Sequence, residues 1–330
     1  MRIDGVEKYA ALYDRFKAEI DSRLATTVAQ EKPVSIFEPA RYILTSGGKR
    51  IRPVLLLSSC LAAGGDVENA YDAATAVEIL HNFTLVHDDI MDNAPARRGL
   101  KTVHEQWDAN VAILLGDELM GLAYRQLLRT TSGDLSAILK CFTDGVIEVC
   151  EGQALDKEFE SADAVSMEQY WEMIQKKTGR LMVMSADIGA MIAEACDEHR
   201  RSILEYATHI GLAFQILDDL LDAVADDTFG KVIGRDIQEG KKTFLLVDAM
   251  EHARGETLDW LRDVGLRRVA ADDVVEKATV LFHELGSIDR AREQVSMRTE
   301  KSLAALQRLP EGEGKGMLEW FAKMLLHRST

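Results

Sequence analysis

Proline is scarce in this chain. Only five occur in 330 residues, and none lies between Pro95 and Pro310. So long a proline-free stretch, rich in Ala, Leu, Met, Glu and Lys, favours helix. Cysteine is equally sparse. The four thiols, Cys60, Cys141, Cys150 and Cys196, show no CxxC spacing. That excludes a disulfide framework or a zinc knuckle, and they read as buried thiols in a reducing compartment. Positive charge is in deficit, 39 Lys+Arg against 55 Asp+Glu, a formal net charge of -16. A nucleic-acid-binding face is therefore not expected. No stretch approaches the roughly 18 uninterrupted apolar residues of a membrane span. The opening MRIDGVEKYAALYDRF is charged throughout, with no apolar signal core. A soluble, cytoplasmic protein is expected.

The chain does contain ample material for a core: 47% of its residues are hydrophobic and 28% charged. Length alone would suggest two domains. However, composition does not shift sharply anywhere, and neither a linker nor a fixed-period repeat is visible, so residues 1–330 read as one domain. Apolar positions recur at three- and four-residue steps. Ala74, Val77, Leu80, Thr84, Leu85 and Met91 do so between Tyr71 and Asp92; Ile203, Ala207, Ile210, Phe214, Leu217 and Leu221 do so between Arg201 and Val224. The Met-rich stretch Leu181 to Ile192 reads as a core helix. Alternating strand-like runs are absent. Loops are expected at Gly47-Gly48, Gly64-Gly65, Asn93 to Gly99, Gly230, Gly234 and Gly240. The fold class that follows is all-α.

Two aspartate motifs stand on these helices. Asp88-Asp89-Ile90-Met91-Asp92 is DDxxD, and Asp218-Asp219-Leu220-Leu221-Asp222 repeats it. Helical positions i and i+4 share a face, so Asp88 approaches Asp92 and Asp218 approaches Asp222. Like charges at that spacing destabilise a helix. They make sense with a divalent cation between them, and hard oxygen ligands suit Mg²⁺, which also binds substrate phosphates. One copy would be a weak signal, but two copies in apolar helices are much harder to dismiss. Asp226-Asp227 and Asp272-Asp273 fit a solvated face or a helix start instead.

The scarce cations are clustered: Lys49-Arg50-Ile51-Arg52, Arg97-Arg98, Lys176-Lys177-Thr178-Gly179-Arg180, and Lys231 with Lys241-Lys242. Arg and Lys are the usual partners of phosphate. Each cluster alone is an ordinary solvated surface. Together with two carboxylate pairs, they describe a cavity for more than one polyphosphate, which the aspartates meet through metal.

In order, GGKRIRP at 47–53, HNFTLVHDDIMDNAPARRG at 81–99, GQALD at 152–156, KTGRL at 177–181, GLAFQILDDLLD at 211–222, GKVIGRD at 230–236 and GKKT at 240–243 resemble the trans-isoprenyl diphosphate synthases, or polyprenyl synthetases. One departure is visible: Phe244-Leu245 stands where the family often has Leu-Pro. The resemblance implies a single helical bundle around a deep central cavity, usually homodimeric. It implies that Asp88, Asp92 and Asp218 ligate Mg²⁺, three ions per active site, with Asp89 and Asp222 supporting through water. Arg97, Lys177, Lys231 and Lys241 would contact an allylic diphosphate. Lys49, Arg52, His81 and Arg98 would bind isopentenyl diphosphate. Gln215, Thr178 and Lys177 would attend the reacting centre.

The same resemblance places the control of product length four and five residues before the first aspartate, at Thr84 and Phe83. An aromatic floor at Phe83, ~7.5 Å along the helix from Asp88, leans toward a geranylgeranyl product, with farnesyl or longer chains as alternatives. On a helical wheel Thr84 lies about 40° from Asp88 and Phe83 about 140° away. That leaves room for Phe83 to be ordinary core and for Leu119, Leu122 and Ala123 to contribute. A terpene cyclase would not need the second diphosphate set, and a non-catalytic prenyltransferase subunit would be expected to lose a motif.

Overall fold

The computed structural model describes residues 3–30, 32–224, 234–269 and 274–326. Helix dominates, as the missing prolines allow: the interval they vacate carries helices of 26 residues (Leu135–Glu160) and 28 residues (Asp197–Val224). The two spacings read from sequence fall on helices Tyr71–Met91 and Asp197–Val224, and the Met-rich stretch on Arg180–Ile192. One expectation needs correction. Within the segment read as loop, Ala96–Arg97 and Leu100–Lys101 pair as a short antiparallel hairpin. Its two turn residues, Arg98 and Gly99, both have positive φ (54° and 77°), the geometry that matches the twist of a two-residue hairpin loop. Two residues per strand leave no alternating pattern to read.

The chain forms two compact units, each assembled from three separate stretches. The first comprises 1–142, 184–203 and 309–320; the second comprises 143–183, 204–308 and 321–330. In the first unit, helix Tyr71–Met91 packs closely on Ala109–Leu127. Its core includes Phe16, Leu55, Leu56, Val77, Leu119 and Ala123, all fully buried. In the second unit, helices Met167–Ile174, Asp197–Val224 and Phe244–His252 bring together Tyr170, Ile216, Leu220, Phe244 and Val247. Each Leu-sized side chain buried this way contributes roughly 1.5–3 kcal/mol. Cys60 and Cys141 are buried as expected, but Cys150 and Cys196 are exposed. Cys150 shares an outward row of helix Leu135–Glu160 with Ile147, Glu151 and Ala154.

Candidate active site

In the first unit, Asp88, Asp89 and Asp92 close helix Tyr71–Met91. Asp88 and Asp92 are half-buried and one turn apart. Asp89 belongs to a different row, with Glu78, Asn82 and Val86, and only 3% of its side chain is exposed. Its Oδ1 accepts from Arg97 Nε at 2.8 Å and Nη2 at 2.7 Å. The hairpin thus delivers Arg97 to the motif's inward carboxylate. Its neighbour Arg98 donates from Nη1 to the Gly47 carbonyl at 2.6 Å. That contact ties the hairpin to the GGKRIRP turn, where a Cβ on Gly48 would lie 2.9 Å from Arg98 Nη1.

The GGKRIRP turn is pinned by Arg50, a residue given no role by sequence. Arg50 sits in the left-handed region (φ 51°, ψ 39°) as the N-cap of helix Ile51–Ala62. Its guanidinium is buried. Nε donates to Asp21 at 2.7 Å, Nη1 to Glu78 at 2.7 Å and Nη2 to the Leu44 carbonyl at 2.9 Å. The anchor leaves Lys49 exposed and Arg52 half-buried in the first turn of the helix. Arg52 Nη1 lies 3.1 Å from His81 Nε2. Arginine only donates, so Nε2 accepts and the imidazole proton resides on Nδ1. Burial, then Arg52 and Arg98, hold the His81 pKa well below its usual 6.5. The ring is neutral at pH 7, and its buried Nδ1 has no hydrogen-bond partner in the protein.

Phe83 is half-buried, its ring edge-on to His87 with centroids 4.7 Å apart. His87 lies against Gly116 of the neighbouring helix, where a Cβ would come within 2.0 Å of His87 Nε2, so a larger residue there would require the imidazole to move. The Thr84 hydroxyl donates back to the His81 carbonyl at 2.8 Å.

In the second unit, a five-residue π-helical segment, Gln175–Gly179, joins helices Met167–Ile174 and Arg180–Ile192. Such insertions re-aim side chains and are frequent at functional sites; this one carries Lys176, Lys177 and Thr178. Its backbone presses on Gly152 of GQALD, where a Cβ would lie 2.3 Å from Lys177 N. Close approach of Gly179 to Gly211, 3.5 Å from a hypothetical Cβ, brings helix Asp197–Val224 alongside. Lys177 is paired with Asp156, and the Thr178 hydroxyl donates to Gln215 Oε1 at 2.8 Å.

The second motif repeats the division seen in the first. Asp218 is exposed and Asp222 half-buried, one turn apart. Asp219 points inward with Ile216 and Ala223, 5% exposed. It accepts from Gln215 Nε2, the Tyr170 hydroxyl and Phe244 N–H, each at 2.8 Å. Burial raises its pKa to about 7 against the lowering effect of those donors. Asp222 Oδ2 accepts from Asp236 N–H at 2.9 Å. Burial and then Asp222 raise Asp236 to about 6, with Lys241 opposing. Lys241 also lies 3.6 Å from Glu239. Lys231 lies outside the described residues, as do Asp226, Asp227, Asp272 and Asp273.

Sequence reasoning missed Arg50, Glu78, Asp156, Tyr170, Asp219 and Asp236. For Asp219 a signal existed, because Ile216 and Ala223 place it on an apolar helical row. Arg50 carried none, since its partners are 28 and 29 residues away.

The polyprenyl synthetase family model matches residues 33–282. The chain belongs to the polyprenyl synthetase family. It is similar to a short chain isoprenyl diphosphate synthase of Methanocaldococcus jannaschii, 40% identical over 80% of each chain. It is likewise similar to a geranylgeranyl diphosphate synthase of Methanosarcina mazei, 35% identical over 94% of this chain and 95% of that one. The crystal structure of geranylgeranyl pyrophosphate synthetase from Pyrococcus horikoshii matches with a TM-score of 0.92 at 37% identity, covering 97% of this chain and 99% of the other. The all-α fold and the assignment as a prenyltransferase of isoprenoid biosynthesis follow. Among the described residues no helix is long and apolar enough to cross a membrane.

Proposed function

We propose that this prenyltransferase condenses isopentenyl diphosphate with an allylic diphosphate to give geranylgeranyl diphosphate. One observation carries the reading. In both DDxxD motifs the outer aspartates are accessible one turn apart, while the middle one is tied inward. Each helix therefore offers its outer two carboxylates directly to a cation and ties the middle one to the protein, from where it can act on the cation only through water.

This donor set fits Mg²⁺. It is all oxygen, with two accessible carboxylates one turn apart in each motif. Mg²⁺ takes one or two carboxylates and fills its octahedron with water and substrate phosphate. Asp88, Asp92 and Asp218 would hold the metal, three ions in all, with Asp222 and Asp89 in support. Bound Mg²⁺ supplies Lewis-acid stabilisation of the charge on the departing diphosphate.

In the reaction, the allylic C1–O bond breaks and its electron pair leaves with diphosphate. Lys177, Lys241, Arg97 and Lys231 stabilise that charge. Lys49, Arg52, Arg98 and the Nδ1–H of neutral His81 hold isopentenyl diphosphate, so that its double bond attacks C1 of the allylic cation. The tertiary cation then loses a proton to the departing diphosphate, and no separate base is required. The Thr178 and Gln215 oxygens face the cation. Phe83 and Thr84 limit the tail, consistent with relatives named for a geranylgeranyl product. A cytoplasmic homodimer completes the reading. Exposed Ile113 and Leu114 on helix Ala109–Leu127 supply apolar surface for a second copy.

The test is turnover of isopentenyl diphosphate with each allylic primer, with product sizing. EDTA should abolish it, and Asp88→Ala or Asp218→Ala should lower kcat at least about 100-fold. Near-normal rates in either variant would refute the metal assignment.

A further inference from the structure

Asp219 accepts three hydrogen bonds, from Tyr170, Phe244 and Gln215, yet it is not one of the aspartates assigned to metal. Its Oδ2 receives two donors, the Tyr170 hydroxyl and the Phe244 N–H, each at 2.8 Å. Both donors are fixed by local sequence. Tyr170 sits in the first turn of helix Met167–Ile174, behind a capping box of Ser166 and Gln169. Phe244 opens helix Phe244–His252 behind its N-cap Thr243, so its N–H has no partner within the helix. These two donors hold the plane of the carboxylate.

The remaining oxygen, Oδ1, faces Gln215 at 2.8 Å. Gln215 Nε2 is the donor to this oxygen, so the amide turns its NH₂ toward Asp219. The amide's other end, Oε1, then faces Thr178, which donates its hydroxyl hydrogen at 2.8 Å. Hydrogen bonds thus run in one direction, from Thr178 through Gln215 to Asp219. We infer that Asp219 is a positioning residue that sets the polarity of the Gln215 amide, leaving the Gln215 carbonyl oxygen and the Thr178 hydroxyl oxygen as the negative ends of two dipoles at the reacting centre. A reversed amide would place two acceptors face to face at Asp219 and aim N–H groups, the wrong sign, at a developing cation. The inference deepens the proposed function and rests on its placing Gln215 and Thr178 at that centre.

The arrangement can be inverted by substitution. In Asp219→Asn, Tyr170 and Phe244 still demand an acceptor, so the new amide gives them its oxygen and turns its NH₂ to Gln215. Gln215 must then reverse. The expected result is a kcat loss on the order of 100-fold, the scale of losing one preorganised dipole, with KM for both substrates and the Mg²⁺ concentration for half-maximal rate unchanged. The swap Asp219→Asn with Gln215→Glu restores an acceptor at both ends of residue 215. It should recover kcat to within about tenfold of wild type. A swap no faster than Asp219→Asn, at equal melting temperature, overturns the inference. So does Asp219→Asn with normal kcat at saturating Mg²⁺ and a raised Mg²⁺ requirement, which would make the residue's charge a metal matter. If Asp219→Asn melts early, the swap is compared with Gln215→Glu alone. In that single variant two carboxylates face each other, and it should be at least about tenfold slower than the swap; equal rates overturn the inference. A wild-type protein that turns over no isopentenyl diphosphate refutes the proposed function itself, whereas an active wild type matched in kcat by Asp219→Asn refutes the inference alone.

Discussion

Arg50 offers a quantitative test of how the first unit holds its basic turn. Its side chain and that of Glu78 are 1% and 2% exposed, and they meet at 2.7 Å. Asp21, the other carboxylate partner, is 40% exposed and contributes little once solvent screens it. Replacing Arg50 with Met removes the guanidinium and leaves Glu78 buried without its countercharge, a loss of about 3–5 kcal/mol. For 330 residues the unfolding entropy is roughly 0.7 kcal/mol/K, so the melting temperature should fall by about 4–7 °C. Arg50→Met with Glu78→Leu removes both buried charges. Its cost should be at least about 1 kcal/mol smaller than the sum of the singles. Urea unfolding of the four proteins at pH 7 gives the coupling. Costs that add to within about 0.5 kcal/mol would refute the claim that this pair is one buried unit. Lys49 and Arg52 flank Arg50, so Arg50→Met should also raise KM for isopentenyl diphosphate more than KM for the allylic substrate.

Other perturbations follow from the same geometry. Phe83→Ala should lengthen the product, read by chromatography of the dephosphorylated alcohols; an unchanged length distribution would move the floor to another residue. Gly152→Ala sets a Cβ 2.3 Å from Lys177 N and 2.7 Å from Lys176 C, both backbone atoms that cannot swing away. The strain of about 1–3 kcal/mol should outweigh the ~1 kcal/mol gain in helix propensity and lower kcat by displacing Lys177 and Thr178; a more stable, fully active variant would contradict the packing argument. His81 predicts a pH dependence. Its folded pKa is depressed below 6.5, so below pH 6.5 the unfolded chain binds the extra proton and stability falls, by up to about 1.4 kcal/mol per pH unit. Asp219 and Asp236, raised to about 7 and about 6, act in the opposite sense over pH 4–7. The His81 contribution is therefore read as wild type minus His81→Gln, and a difference that is flat from pH 7 to 5 would remove it.

The sequence was most legible where chemistry repeats at helical spacing. The two DDxxD motifs, the Met-rich helix and the proline-free interval all follow from period and propensity, which are local properties. The hairpin at Ala96–Lys101 escaped notice because two-residue strands have no period. Arg50 escaped because its burial depends on Asp21 and Glu78, whose approach no local pattern records. The π-helical segment at Gln175–Gly179 is a third case. Nothing in the composition of QKKTG distinguishes a π turn from an α turn; what makes room for it is a glycine 25 residues earlier, Gly152, beneath the Lys177 backbone.

Helical geometry also explains why each motif divides its aspartates as it does. In a DDxxD helix the first and last carboxylates share a face, and the second is rotated about 100° from the first. If the outer pair is to stay accessible to a cation, the middle residue must turn toward the protein. A buried carboxylate there is tolerable only with donors that satisfy it. The first unit supplies the Arg97 guanidinium from the hairpin; the second supplies Tyr170, Gln215 and the Phe244 N–H. The two solutions differ in charge, and so they should differ in consequence. Asp89→Asn deprives a cation of its counter-ion and should chiefly free Arg97, raising KM for the allylic diphosphate that Arg97 is proposed to contact. Asp219→Asn keeps the shape of the side chain but reverses a neutral amide, and should be felt in kcat. Equal effects of both substitutions on KM and kcat would mean that the middle aspartates are interchangeable spacers, and that the second carboxylate of each motif serves only to complete the acidic face.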